Sequence, residues 1–267
     1  MIRSLTYDIY FGDSSNPSLR ESDYTGTTYD PGELNYSTTY YWKIVAKDDH
    51  GLETEGPVWS FETESGLETG TVTDIDGNVY QTVKIGDQWW MAENLKVTHY
   101  RNGDPIPNVT DNTDWSNLST GASCNYDNEA SNVATYGRLY NWYAVSDSRQ
   151  IAPAGWHMPS DAEWQTLIDY LGGESVAGGK MKETGTTHWG SPNASATNES
   201  GFAALPGGYH LYYYGTYYSL CNHAYFWSST EDDSSTAWYR SLRYDGSDVY
   251  RYGYYKQDGF SVRCVRD

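Results

Sequence analysis

The residues of this 267-residue chain best suited to metal or nucleophilic chemistry are six histidines and three cysteines, and their spacing speaks against both uses. His50, His99, His157, His188, His210 and His223 are scattered, with no HxH or HxxxH pair to hold a metal from one strand or helix. His157 sits in Gly155-Trp-His-Met-Pro159, where a packed, hydrogen-bonded ring is the ordinary role. Cys124, Cys221 and Cys264 show no CxxC spacing; an odd count permits one disulfide, in any of three pairings, and leaves one thiol over. No GxSxG, P-loop or GxGxxG sequence occurs. Glu231-Asp232-Asp233 groups carboxylates in a Ser-rich turn, where solvation is the ordinary reading and calcium the alternative. Asp74-Ile-Asp76-Gly-Asn78 has the look of a calcium loop, but its Gly comes too early and no Glu closes it, so a tight hairpin turn is expected. The residues therefore predict no catalytic group, no cofactor and no catalytic metal, and leave a structural calcium open.

Binding chemistry is better represented. The stretch 209–255 holds 13 of the chain's 27 tyrosines, interleaved with Ser, Asp, Asn, Gly, Trp and Arg. Tyr and Trp give large, rigid, amphipathic contact area at low entropic cost, and Ser, Gly and Asn add adaptable hydrogen bonding. Only Leu211, Leu220, Phe226, Leu242 and Val249 are ordinary core residues here. The stretch reads as a ligand-binding surface, with a Tyr-rich antiparallel sheet as the plainer alternative, since Tyr favours strands. On the first reading the exposed contact residues are Tyr212, Tyr213, Tyr214, Tyr217, Tyr218, Asn222, His223, Tyr239, Tyr244, Asp245, Ser247, Asp248, Tyr250, Tyr252, Tyr254 and Tyr255. Trp227, Trp238, Phe260 and Val262 are expected to be buried framework beneath them.

Charge narrows the partner. With 17 basic and 36 acidic residues the net charge is -19, which repels phosphate backbones and excludes nucleic acid. No apolar run approaches the roughly 20 residues of a membrane span, so no membrane insertion is expected. The N-terminal MIRSLTYDIYFG also lacks the apolar core of a signal peptide.

The positioning elements follow from patterning. Tyr7 to Gly12 alternates as a strand; Leu34 to Asp48 gives a longer one with Tyr40, Trp42, Ile44 and Ala46 on one face; Gly56 to Thr63 gives a third. Residues 64–70 lack apolar periodicity and read as a linker. Thr71 to Ile85 forms two alternating runs around Asp76-Gly77. Ser160-Asp-Ala-Glu163 is a capping box for a helix with a Trp164, Leu167, Ile168 and Leu171 stripe, stopped by Gly172. Tyr136 to Ala144 is predicted as a second helix, with Leu139, Tyr140 and Tyr143 at helical spacing. Trp156, Trp164, Phe202 and Trp227 are expected core anchors.

Residues 7–63 resemble the second half of a fibronectin type III domain, with Leu34 and Tyr36 before the tyrosine-corner strand and Trp59-Ser-Phe-Glu-Thr63 closing the sandwich. Its first two strands have no counterpart before Tyr7, which would leave the core face of half a sandwich open; the chain is expected to be a fragment of a longer protein. DIDGNVYQTVKIGDQWWMAENLK (74–96), YGRLYNWYAV (136–145), PAGWHMPSDAEWQTL (153–167), NESGFAALPGGY (198–209), FWSST (226–230) and GFSVRCVRD (259–267), in that order, resemble the Fibrobacter succinogenes major paralogous domain. That resemblance implies an α+β, C-type lectin-like fold of the formylglycine-generating-enzyme branch. Enzymes of that branch use a reactive cysteine pair with a metal, or histidines holding iron, and this chain has neither; Ala152 stands where the family often has Cys, so its usual disulfide does not transfer. Some relatives resemble the variable proteins of diversity-generating retroelements. Randomised adenines in AAC or AAT codons would yield much of the residue set of 209–255, with Phe226-Trp-Ser-Ser-Thr230, Ala237-Trp238 and Gly246 as fixed framework and Cys221 as a varied position.

The sequence thus predicts a small all-β, partial fibronectin III-like domain at 1–63, a linker at 64–70 and a C-type lectin-like domain at 71–267. The expected function is non-enzymatic recognition of a protein or glycan ligand, at the cell surface or outside the cell. Self-assembly, as a structural subunit of an extracellular assembly or filament, is the alternative.

Overall fold

The computed structural model describes residues 5–63 and 66–267, and the chain divides into two compact units, Met1–Gly66 and Leu67–Asp267. Of the expected linker, Glu64 and Ser65 lie outside the described residues. Its far end does not behave as a linker: Thr69 and Gly70 already pair with Val83 and Thr82.

The first unit is one antiparallel sheet of β1 (Thr6–Gly12), β2 (Leu19–Tyr24), β3 (Thr39–Lys47), β4 (Glu53–Glu55) and β5 (Trp59–Glu62), in the order β2-β1-β3-β4, with β5 also on β3. Ile9 pairs with Ile44, Phe11 with Trp42, Trp42 with Trp59 and Tyr40 with Phe61, so the apolar side chains fall on one face as the alternation requires. Tyr40 opens β3, stacks on Phe11 at 5.1 Å, and its hydroxyl accepts from the Asn35 N–H at 3.1 Å. Among the described residues of this unit no second sheet lies over that face. Trp59 and Phe61 stay 43% and 41% exposed, and Tyr7, Tyr24, Tyr29 and Trp42 help line a cavity of about 580 Å³ there.

The second unit is β-rich with five short helices. In chain order it contains β6 (Thr69–Thr73), β7 (Val79–Ile85), β8 (Gln88–Met91), α1 (Asn112–Ser116), β9 (Ser123–Cys124), α2 (Ser131–Tyr136), β10 (Leu139–Tyr140), α3 (Trp142–Val145), β11 (Trp156–His157), α4 (Asp161–Tyr170), α5 (Glu174–Met181), β12 (Gly207–Leu211), β13 (Thr216–Leu220), β14 (His223–Glu231), β15 (Thr236–Arg243), β16 (Val249–Tyr255) and β17 (Val265–Arg266). No helix of the described residues is long and apolar enough to cross a membrane.

The sheet β11-β17-β8-β7-β6 brings the C-terminal strand beside the start of the unit. Its β6–β7 turn is the expected hairpin: the Asp74 carboxylate accepts from the Asp76 and Asn78 N–H groups, the Asn78 amide and the Tyr80 hydroxyl, so its lone pairs are spent on the turn. Helix α4 has the full capping box between Ser160 and Glu163. Its Trp164 packs on Trp90, Phe202 and Phe226 at 4.7 to 5.8 Å, and Leu167 and Ile168 are wholly buried.

The helix expected over Tyr136 to Ala144 is corrected. Gly137, at φ +73°, ends α2. Leu139 and Tyr140 then pair with Cys124 and Ser123, and Asn141 caps the separate turn of α3 by accepting from the Ala144 N–H. Helical spacing of three aromatic and aliphatic residues could not anticipate a glycine in a conformation that ends the helix. The three cysteines are unpaired, Cys124 and Cys264 in the core and Cys221 half-buried.

Candidate functional site

The three-stranded sheet β14-β15-β16 organises the site, because each of its faces has a different task. Across one face the rows are Tyr225–Ser241–Tyr250, Trp227–Tyr239–Tyr252 and Ala237–Tyr254; across the other they are Ala224–Leu242–Val249, Phe226–Arg240–Arg251 and Trp238–Gly253. The second face meets the helices. Ala224, Phe226, Leu242 and Val249 join the core of α4 and α5, and Asp161 at the start of α4 pairs with Arg251 at 2.9 Å and Arg240 at 3.1 Å.

The first face carries the tyrosines. Trp227 is its foundation: fully buried, stacked on Phe260 at 4.3 Å, and donating its indole N–H to the Tyr140 carbonyl at 2.9 Å. Above it, rings touch in a continuous series. Tyr214 meets Tyr213 at 5.0 Å, Tyr213 meets Tyr212 at 6.1 Å, Tyr212 meets Tyr255 at 5.3 Å and Tyr255 meets Tyr254 at 6.3 Å. From Tyr254 the series runs to Tyr209 and Tyr239, then to Tyr218 and Tyr225 on one side and Tyr252 and Tyr250 on the other. Eleven tyrosines from β12, β13, β14, β15, β16 and the β12–β13 turn therefore form one aromatic network. Its outer members are open: Tyr213 is 70% exposed, Tyr214 67% and Tyr252 55%, with Tyr218 and Tyr255 also exposed.

The sixteen expected contact residues do not all lie there. Tyr212, Tyr213, Tyr214, Tyr218, Tyr239, Tyr250, Tyr252, Tyr254 and Tyr255 do, and His223 reaches the network through Tyr225, whose hydroxyl lies 3.1 Å from its Nδ1. Tyr239 was expected at the surface and is buried, because the central strand places it among Tyr225, Trp227, Tyr254 and Phe260. Tyr217 turns to the other side of its hairpin, against Tyr126 and His210, and donates to Asn128. Tyr244, Asp245, Ser247 and Asp248 occupy the β15–β16 loop beside α5, where Ser247 donates to the Ser175 carbonyl and Asp245 pairs with Arg243. Asn222 is exposed in the β13–β14 turn. Phe260 and Val262 are buried as expected, whereas Trp238 is only half-buried and covered by the Arg251 guanidinium at 3.4 Å.

Four functional or supporting groups were not foreseen. Tyr209 and Tyr225 are network members with no marker beyond being tyrosines inside the stretch. Lys182 is wholly buried, and its ammonium donates to the Ala194, Arg243 and Gly246 carbonyls at 2.8 to 2.9 Å, tying the β15–β16 loop to α5; burial brings its pKa down to about 8. Asp258 lies in the turn after β16 with no accessible surface, and burial pushes its carboxyl up to about 8, opposed only by the Tyr212 N–H.

Among the described residues no three His, Cys, Asp or Glu side chains come together to hold a metal. Glu231 pairs with Lys256, Asp232 accepts from the Thr236 hydroxyl, and Asp233 caps the Ser235 and Thr236 N–H groups, so the acidic run serves its own turn. His157 is held between Glu163 and Asp267 at 2.7 Å each, the hydrogen-bonded role expected of it.

A β-rich domain with an aromatic face is what the geometry defines. The family described as the Fibrobacter succinogenes major domain matches residues 83–266, and the chain belongs to it. Of the curated proteins and solved structures compared with the chain, none matches it.

Proposed function

We propose that the chain is a non-enzymatic recognition module, displayed at the cell surface or secreted, which binds a protein or glycan ligand through the tyrosine network of 209–255. The observation that carries this is the exposure of Tyr213, Tyr214, Tyr252 and Tyr255 at the rim of a ring network whose inner members Tyr209, Tyr239 and Tyr254 pack on Phe260. Rigid aromatic anchors on a packed base lose little entropy on contact, and a Tyr at the centre of an interface can be worth ~2 kcal/mol or more. The scaffold is read as C-type lectin-like, its surface as a diversified one, and the first unit as half of a fibronectin type III sandwich; the Tyr40 hydroxyl bonded back to Asn35 supports the last.

The test is a binding screen against glycan arrays and displayed protein libraries, run in parallel with a Tyr213→Ala/Tyr214→Ala/Tyr252→Ala/Tyr255→Ala variant. Hits should vanish in the variant while its melting temperature holds. A variant that keeps every hit refutes the reading. The open aromatic face of the first unit favours a second reading, a structural subunit. Light scattering separates the two: a monomer at all concentrations supports display, and concentration-dependent growth supports assembly.

A further inference from the structure

Asp258 is the one buried acid of the tyrosine network, and no charge offsets it. Its Oδ1 accepts from the Tyr212 N–H at 2.9 Å, and its Oδ2, wholly inaccessible, has no hydrogen-bond partner. The Tyr209, Tyr212, Tyr239 and Tyr254 hydroxyls all feel its charge, which adds to the effect of burial in making them harder to ionise. The cations nearest in sequence are engaged elsewhere or absent. Lys256 is committed to Glu231 and the Ser234 carbonyl. His210, whose N–H bonds to the Gly259 carbonyl, is held neutral by burial against Trp115, down to about 4. Elsewhere on this sheet the protein covers aromatic faces with its own cations, Arg251 over Trp238 and Arg243 over Tyr250. The Tyr212 and Tyr255 rings have aromatic neighbours instead.

We infer that the tyrosine network takes a cationic group, an arginine or lysine side chain of a protein partner, seated on the Tyr212 and Tyr255 rings, with Asp258, bonded to the Tyr212 N–H, as its counter-charge. The inference rests on the proposed binding role of this surface. A cation is drawn to the negative face of a tyrosine ring, more strongly where water is excluded. A buried carboxylate acts across several ångströms because little solvent screens it, and the net charge of -19 attracts basic partners from a distance. A glycan hydroxyl would gain from the rings but nothing from the charge of Asp258, which stays protonated at neutrality without a cation.

The arrangement couples binding to a proton. Burial keeps the free Asp258 carboxyl largely protonated at neutrality, since it ionises at about 8. A docked cation favours the carboxylate, so the proton leaves as the cation arrives. The affinity should then rise with pH, by up to about tenfold per unit as pH approaches 8, and level off above it.

Nona-arginine, measured by calorimetry against an uncharged Gly–Ser peptide of equal length at constant ionic strength between about pH 6.5 and about pH 9, tests this. Binding that tightens with pH as stated, and loses that dependence in Asp258→Asn, is the expected result. Loose attraction to the acidic surface, whose exposed carboxylates are already ionised, would change with pH only through groups such as Lys182 and His157 and so would keep its pH dependence in Asp258→Asn; that result overturns the inference. Should Asp258→Asn fail to fold, the ¹³C titration of the Asp258 carboxyl in the unaltered protein decides: nona-arginine must lower its midpoint, and an unmoved midpoint overturns the inference. Failure of nona-arginine, alongside glycan or neutral-peptide hits that the tyrosine variant loses, sinks the cationic partner and leaves the recognition function standing. Hits that all survive the tyrosine substitutions sink the function itself.

Discussion

Asp258→Asn should stabilise the second unit at alkaline pH and give no stabilisation in acid. The carboxyl ionises at about 8 in the folded protein against an ordinary 3.8. The folded state therefore holds a proton that the unfolded chain has released across that window, and stability declines as pH rises through it. At ~1.4 kcal/mol per pH unit, the ionised carboxylate costs ~6 kcal/mol. Total stabilities are roughly 5–15 kcal/mol. Asparagine keeps the acceptor for the Tyr212 N–H. It buries two unpaired amide hydrogens where the protonated acid buries one unpaired hydroxyl hydrogen, so at about pH 4 the variant is the less stable by up to ~1–3 kcal/mol. Less the cost of the extra amide hydrogen, the net gain is ~3–5 kcal/mol, and for a unit of this length ~2–4 °C per kcal/mol gives the variant an advantage of ~6–20 °C at about pH 8.5. Calorimetric melting of both proteins at about pH 4.5, 6.5 and 8.5 is the assay. A melting difference that does not grow with pH refutes the assignment of Asp258 as a buried, uncompensated acid. A stabilising substitution at a native site marks a position where stability is given up, as binding sites commonly require.

Trp227→Ala should cost roughly 3–5 kcal/mol and remove one of the two donors to the Tyr140 carbonyl, whereas Tyr213→Ala and Tyr214→Ala should each stay within ~0.5 kcal/mol in urea denaturation; equal losses would make the whole stretch a folding core. His157 gains from Asp267 and Glu163 more than burial takes away, so its folded pKa is raised. Its contribution is complete below its ordinary 6.5 and fades as pH rises through the folded value; an NMR titration finding His157 at or below 6.5 would remove this contribution. Limited proteolysis should cut ahead of β6 and leave the second unit, Leu67–Asp267, folded; a C-terminal fragment that is insoluble alone contradicts independent folding.

Local signals in the sequence were read well where one residue's chemistry decides the outcome. The Ser160–Glu163 capping box, the Asp74 hairpin and the Trp156, Trp164, Phe202 and Trp227 anchors all depend on short-range patterns. Tyr136 to Ala144 shows the limit, since Gly137 and long-range pairing of Leu139 to Cys124 overrode a helical period. The tyrosine stretch was legible as a region but not residue by residue. Which tyrosine faces out depends on strand register, and Tyr239 is buried because its register in the central strand sets it among Tyr225, Trp227, Tyr254 and Phe260. Lys182, Arg240 and Arg263 were illegible for a related reason. A buried cation is recognised by the carbonyls, amides and carboxylates that converge on it, and for Arg263 these come from Asn94, Met91, Phe202 and Ala203.

The two-residue repeat of β16 separates change from consequence. Tyr250, Tyr252 and Tyr254 project to the network, while Val249, Arg251 and Gly253 between them are fastened to the helical side: Val249 in the core, Arg251 on Asp161, and Gly253 so close to Asp232 that a Cβ would lie 2.1 Å from its Oδ2. On the proposed reading of a diversified surface, Tyr250 and Tyr252 are the positions of this strand open to exchange while Val249, Arg251 and Gly253 keep it in place, and Tyr254, packed on Phe260, stays with the frame. The number of distinct faces such a surface can present grows as the product, not the sum, of the choices at each outward position.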